Sequence, residues 1–159
     1  MYNKAAKVPA LTLIIVNKRI TQRFFVEDNR GGYINPPSGC IIDTGLVENE
    51  KSDMEYDFFL IPQFANQGCV LPTHFYVAFN DSKLKKDVVE KFTFALCHYY
   101  YNWAGPIKVP APCMYAHKIA ELFMNLGAAG KKKGDARGVE CAPVKINMTK
   151  KVCESLHFL

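Results

Sequence analysis

The chain has 159 residues, 49% of them hydrophobic and 13% aromatic, enough for one domain with a sizeable core. Its formal charge of +5 is only mildly basic, which permits a nucleic-acid face without demanding one. No apolar run approaches membrane-spanning length, the 6 cysteines are scattered without a Cys-x-x-Cys pair, and no secretory leader is visible. A membrane span, a zinc site and a secreted disulfide framework are therefore not expected, and the thiols read as reduced ones of an intracellular protein.

In chain order, residues 11–16 form a continuous apolar run rich in β-branched side chains, as expected for a strand buried on both faces. Residues 33–39 hold Gly, Asn and two prolines and predict a loop feeding a second strand around Cys40, Ile41 and Ile42. Residues 57–63 and 74–80 read as two more strands, separated by the turn Asn66-Gln67-Gly68. Asn80, Asp81 and Ser82 then offer helix N-caps. Leu84, Val88, Phe92, Leu96, Tyr99 and Trp103 recur at helical spacing and predict a long amphipathic helix.

Pro110 and Pro112 stiffen the approach to a second helix, in which Pro112 can occupy the first turn because its missing N–H is not needed there. Met114, Tyr115, Ile119, Leu122 and Phe123 support that helix, which carries His117 about a turn and a half in and ends near Gly127. Residues 127–151 are glycine-containing and basic, with Lys131, Lys132 and Lys133 in a row, and predict a flexible surface loop or insertion. Strands followed by helices make an α/β layer.

Two features could carry chemistry. Lys18 and Arg19 follow directly on a strand, and a point charge beside a planar fork suits a phosphate backbone. His117 near a helix start sits toward the positive end of the dipole, which favours a neutral, ligating imidazole. Taken alone, each also fits a plain structural role: a solvated strand end and a packed histidine.

The joint order of several stretches adds to this. These are Val16 to Phe25 (VNKRITQRFF), Pro36 to Asp43 (PPSGCIID), Tyr56 to Leu60 (YDFFL), Pro72 to Val77 (PTHFYV), Leu96 to Pro106 (LCHYYYNWAGP) and Val109 to His117 (VPAPCMYAH). Together they resemble the C-terminal part of the PIWI domain of Argonaute-family proteins, over roughly residues 11–127. The Tyr-Asn-Trp stretch and terminal Leu159 are more similar to the PIWI clade.

The resemblance implies a partial ribonuclease-H-like α/β fold, a mixed sheet followed by two packed helices, with residues 1–159 forming the C-terminal portion of the domain. It implies binding of a small guide RNA of the piRNA type and pairing with target RNA, in the company of silencing-complex proteins. Lys18, Arg19, Gln63, Gln67, Tyr100 and Lys108 match guide-contacting positions. Cys69 stands where a small hydroxyl residue is common, and Asn102 and Leu122 replace arginines that Argonaute-clade proteins use for the 5′ phosphate, an absence that fits the PIWI clade.

The resemblance also makes His117 the fourth residue of a catalytic site served by Mg²⁺ or Mn²⁺. The two aspartates and the glutamate of that site would precede residue 1, so this chain alone is not expected to cut RNA. Leu159 would bring its carboxylate to a metal beside the guide's 5′ phosphate. Asp43 matches a structural position. A non-catalytic RNA- or protein-binding module and a fragment without independent activity are the competing expectations. Location is expected in the cytoplasm, with germ granules or the nucleus as alternatives.

Overall fold

The computed structural model describes residues 9–44 and 55–129, with side chains described as far as residue 124. Residues 1–111 and 112–159 form two compact units, and each is taken by itself. The first contains strands β1 (Thr12–Asn17), β2 (Val26–Glu27), β3 (Tyr33–Ile34), β4 (Cys40–Ile42), β5 (Tyr56–Ile61) and β6 (Thr73–Asn80), then helix α1 (Lys86–Leu96). Helix α2 (Ala111–Ala129) opens the second. The expected α/β arrangement, a sheet followed by two helices, is present.

The four longer strands make one sheet in the order β1-β6-β5-β4. Every pairing among the described strands is antiparallel. Alternation then divides the side chains. Phe58 and Leu60 of β5, with Phe75 and Val77 of β6, meet Cys97 just beyond α1 in a fully buried cluster. Ile14, Val16, Ile41, Tyr56 and Phe94 pack around it. The Phe58 and Phe75 rings stack at 5.1 Å, which adds directional contact to burial worth about 1.5–3 kcal/mol per side chain. Asp57, Phe59, His74 and Tyr76 fall on the other face.

Gly39 turns the chain into β4 at φ +85°, and a Cβ there would lie 2.9 Å from the Phe94 ring. Both the backbone conformation and the ring exclude a side chain.

Several expectations need correction. β1 is an edge strand: Leu13 is 52% and Ile15 45% exposed, so its apolar run is not buried on both faces. Composition reveals what could be buried and cannot say which flank has a neighbour. The first helix is shorter than its spacing suggested. It stops at Leu96, where Cys97 N–H and His98 N–H bond back to Phe94 and Ala95 carbonyls in a tightened last turn. Ile107 N–H then donates to the Cys97 carbonyl, folding residues 98–106 into a loop, and Tyr99 and Trp103 are exposed on it.

Asn80 and Ser82 do not cap the helix, whose N-cap is Lys85 without a side-chain bond. They cluster instead with the Thr12 hydroxyl, 2.9 Å from Asn80 Oδ1 and 3.0 Å from Ser82 Oγ, tying β6 to the start of β1. Residues 33–34, expected in a loop, pair with β2 as a small hairpin. α2 begins with Ala111 and Pro112 as expected but runs to Ala129, so the first residues of the expected 127–151 loop are helical. Residues 130–151 lie outside the described residues.

Candidate nucleic-acid interface

The antiparallel register gathers the predicted cations at one rim of the sheet. The C-terminal end of β1 lies beside the N-terminal end of β6 (Asn17 opposite His74), and the end of β5 beside the starts of β6 and β4. Lys18 and Arg19 therefore leave the sheet where Gln63 leaves it. In parallel α/β sheets, ligands gather outside the C-terminal ends of strands, the kind of end from which Lys18 and Arg19 follow. The actual rim mixes both strand ends.

A third segment is tied to the same rim. Gln63 Nε2 donates to the Pro106 carbonyl at 3.4 Å, and Thr73 Oγ1 donates to the Lys108 carbonyl at 2.8 Å. Lys108 Nζ donates to the Lys18 carbonyl at 2.8 Å, joining residues 90 apart in the chain. Lys18, Gln63 and Lys108, read separately from the sequence, are thus brought together.

Arg23 belongs to this group and was missed. It stands in the stretch Val16 to Phe25, where the adjacent Lys18-Arg19 pair is the stronger local signal, and its charge bears on Lys108 only in the fold. Its Nη1 donates to the Ile20 and Gln22 carbonyls at 3.3 and 2.7 Å, fixing the segment after β1 in a compact turn. Burial pushes the Lys108 ammonium below its usual range, and the charges of Arg23 and then Lys18 push the same way. Among the described residues, no ion pair involves Lys18, Arg19, Arg23 or Lys108.

The loop after β5 is held by Asn35, a second residue that sequence reasoning missed. Its amide donates to the carbonyls of Ala65 (3.3 Å) and Gly68 (2.8 Å), and its Oδ1 accepts from Val70 N–H at 3.1 Å. Gln67 is exposed on this loop. Gly68 has φ +74° with no atom within 4 Å of a Cβ position, so its backbone faces open space. Tyr100 is half-buried on the loop whose ends are closed by the Cys97–Ile107 bond, and its carbonyl accepts from Trp103 N–H at 3.3 Å.

His117 is exposed on α2, in the other unit. Leu159 lies outside the described residues. Asp43 accepts from Lys86 Nζ through both its carboxylate (3.1 Å) and its carbonyl (3.0 Å), a bracing contact between β4 and α1. Among the described residues, no three His, Cys, Asp or Glu side chains converge to hold a metal ion. One imidazole does not make an Mg²⁺ site, since that ion prefers oxygen donors.

Comparison with known proteins gives this rim its setting. Residues 2–127 match the family model of the Piwi domain. Chicken (Gallus gallus) Piwi-like protein 1 is 50% identical over 114 residues, covering 72% of this chain and 13% of the relative. Human Piwi-like protein 3 is 46% identical over 112 residues, covering 70% of this chain and 12% of the relative. The chain spans about an eighth of the length of these curated relatives.

Among solved structures, Drosophila Piwi superposes with a TM-score of 0.61 at 39% identity, over 72% of this chain and 15% of that one. The Kluyveromyces polysporus Argonaute, solved with a guide RNA, gives a TM-score of 0.61 at 23% identity over 77% of this chain and 15% of that one, a likeness of fold. The sheet with its helices, the family match and the identity to Piwi-like proteins agree: the chain belongs to the Piwi domain family.

Proposed function

We propose that this chain supplies part of the surface on which a Piwi-type protein holds the backbone of a small guide RNA, of the piRNA type, in RNA-guided silencing. The observation that carries the reading is the rim group in which Lys108 Nζ bonds the Lys18 carbonyl while burial, then the charges of Arg23 and Lys18, holds the Lys108 ammonium below its usual range. Such a group is relieved by an anion, and a phosphodiester backbone supplies a row of them. Lys18, Arg19, Arg23 and Lys108 give charge; Gln63, Gln67 and the open backbone at Gly68 give neutral donors that set register. Tyr100, at a guide-contacting position of the family, stands on the loop that Gln63 ties to the rim through the Pro106 carbonyl. The partner is a guide strand, with target RNA recognised by pairing to it.

Binding of the RNA backbone is the activity assigned to the rim; the family's divalent-metal chemistry would need carboxylates in addition to His117. His117 is the one residue here that matches the family's catalytic positions, and cytoplasmic residence is the working location.

Fluorescence anisotropy with a 5′-phosphorylated single-stranded RNA tests the reading. Lys18→Ala and Arg19→Ala are each expected to weaken binding irrespective of RNA sequence, and His117→Ala to leave it unchanged. Equal affinities for all these variants would remove the rim from RNA binding.

A further inference from the structure

Behind the cationic rim, on the sheet face away from the main core, is a buried polar pair that the RNA-binding reading does not use. His74 Nε2 and Asp57 Oδ2 are 2.6 Å apart, and the residues are only 9% and 8% exposed. A buried polar pair is poor evidence for stability, because desolvation offsets most of its attraction and apolar replacements often do as well. What it does supply is direction. The imidazole has one ring nitrogen fixed by Asp57 and its two faces filled: Phe59 stacks at 4.0 Å and 16°, and Tyr76 lies at 4.0 Å and 41°.

This ring stack is placed where the cationic segments attach. His74 is paired across the strands with Asn17, the residue before Lys18. Its neighbour Thr73 holds the Lys108 carbonyl. Phe24, next to Arg23 in the chain, sets its ring edge against Phe59 at 5.1 Å and 63°. A rotation of His74 would release Phe59, then the seat of Phe24, then Arg23.

We infer that the buried Asp57–His74 pair is a positioning device for the phosphate-gripping rim, locking the Phe59–His74–Tyr76 stack on which Phe24 seats and so aiming Arg23 at the RNA backbone. The inference rests on the guide-backbone reading above. Asp57 and His74 themselves touch no RNA; they fix the stack on which Phe24, next to Arg23, is seated, beside Thr73, which holds the Lys108 carbonyl.

The test pairs Asp57→Leu with His74→Phe, which removes the polar lock without leaving either partner buried alone. Anisotropy with a 5′-phosphorylated oligouridylate is measured at several salt concentrations on the full chain, beside its thermal melt. With the melt near wild type, affinity is expected to fall about tenfold and the salt slope by about 0.7, the value for one lost phosphate contact on a single strand. Adding Arg23→Ala to this variant should then change little, although Arg23→Ala alone weakens binding; that non-additivity is the mark of positioning.

Phe24→Leu is the second variant, needed if the double variant melts early. It loosens the same chain of contacts from the rim side and should reproduce the loss. The inference is overturned if Arg23→Ala weakens binding while Phe24→Leu and the folded double variant do not, or if their effects simply add to that of Arg23→Ala. If Arg23→Ala and Lys108→Ala both leave binding unchanged, the guide-backbone reading itself fails, and the inference with it.

Discussion

The two rims of the central sheet hold charge in opposite ways. At one, Lys108 Nζ is tied to the Lys18 carbonyl and its ammonium feels the charges of Arg23 and Lys18, and no ion pair among the described residues offsets these cations. At the other, where β4 ends and β5 begins, Lys86 binds Asp43 and lies 5.4 Å from the centre of the Tyr56 ring. Glu90 is buried beside them, 5% exposed, and among the described residues neither its Oε1 nor the Tyr56 hydroxyl has a hydrogen-bond partner. In the second cluster the cation is paired, and the Lys86–Asp43 contact braces α1 against the sheet. The first has a surplus of one sign and an open approach, which is how a surface for an anionic ligand differs from a structural brace.

The largest effect should come from stripping the surplus. Replacing Lys18, Arg23 and Lys108 together by Ala is expected to lower affinity for single-stranded RNA by roughly 100-fold at low salt. Lys86→Ala at the opposite rim should leave it unchanged, and comparable losses in the two variants would erase the distinction between the rims.

The next effect concerns stability at the brace. Burial, then the charge of Asp43, pushes the Glu90 carboxyl from 4.5 up to about 7, with Lys86 opposing and Asp87 adding to the rise. Below pH 4.5 the folded and unfolded chains both hold the proton, and Glu90 has no pH-linked effect. As pH rises toward 7 the unfolded chain ionises first, so folded stability declines, and the decline levels off above that value. Glu90→Gln should therefore stabilise the protein above pH 7 by on the order of 2 kcal/mol and leave it unchanged near pH 4. Urea melts at the two pH values check this; equal gains at both would show that the carboxyl does not titrate in this range.

The smallest effect is that of the Asp43–Lys86 pair itself. Both side chains are about a third exposed, so Asp43→Ala should destabilise by less than about 1 kcal/mol and be partly masked by salt. A loss of several kilocalories would mean that the brace works as a buried network.

These contrasts also separate what could be read in the sequence from what could not. β4 was placed on its three residues, and β5, β6 and α2 close to their observed bounds, because alternation, β-branching and the prolines before Ala111 are local signals. The exposed flank of β1 was illegible, since a run of Leu and Ile looks the same with or without a neighbour. Tyr99 and Trp103 misled because their spacing continues a helix that the bond from Ile107 to Cys97 brings to an end. At the rim, Lys18 and Lys108 were legible as cations and through the family pattern. Arg23 and Asn35 were not, because one acts through its charge on a lysine far along the chain and the other through three hydrogen bonds to a distant loop.

The central claim is that the rim grips phosphates, and the salt dependence of RNA binding tests it most directly. Plotting log affinity against log salt for the wild-type chain and for the Lys18, Arg23 and Lys108 triple Ala variant should give slopes differing by about 2, near 0.7 for each lost contact on a single strand. Parallel lines would contradict the account, because they would mean that none of the three cations displaces counterions from the RNA.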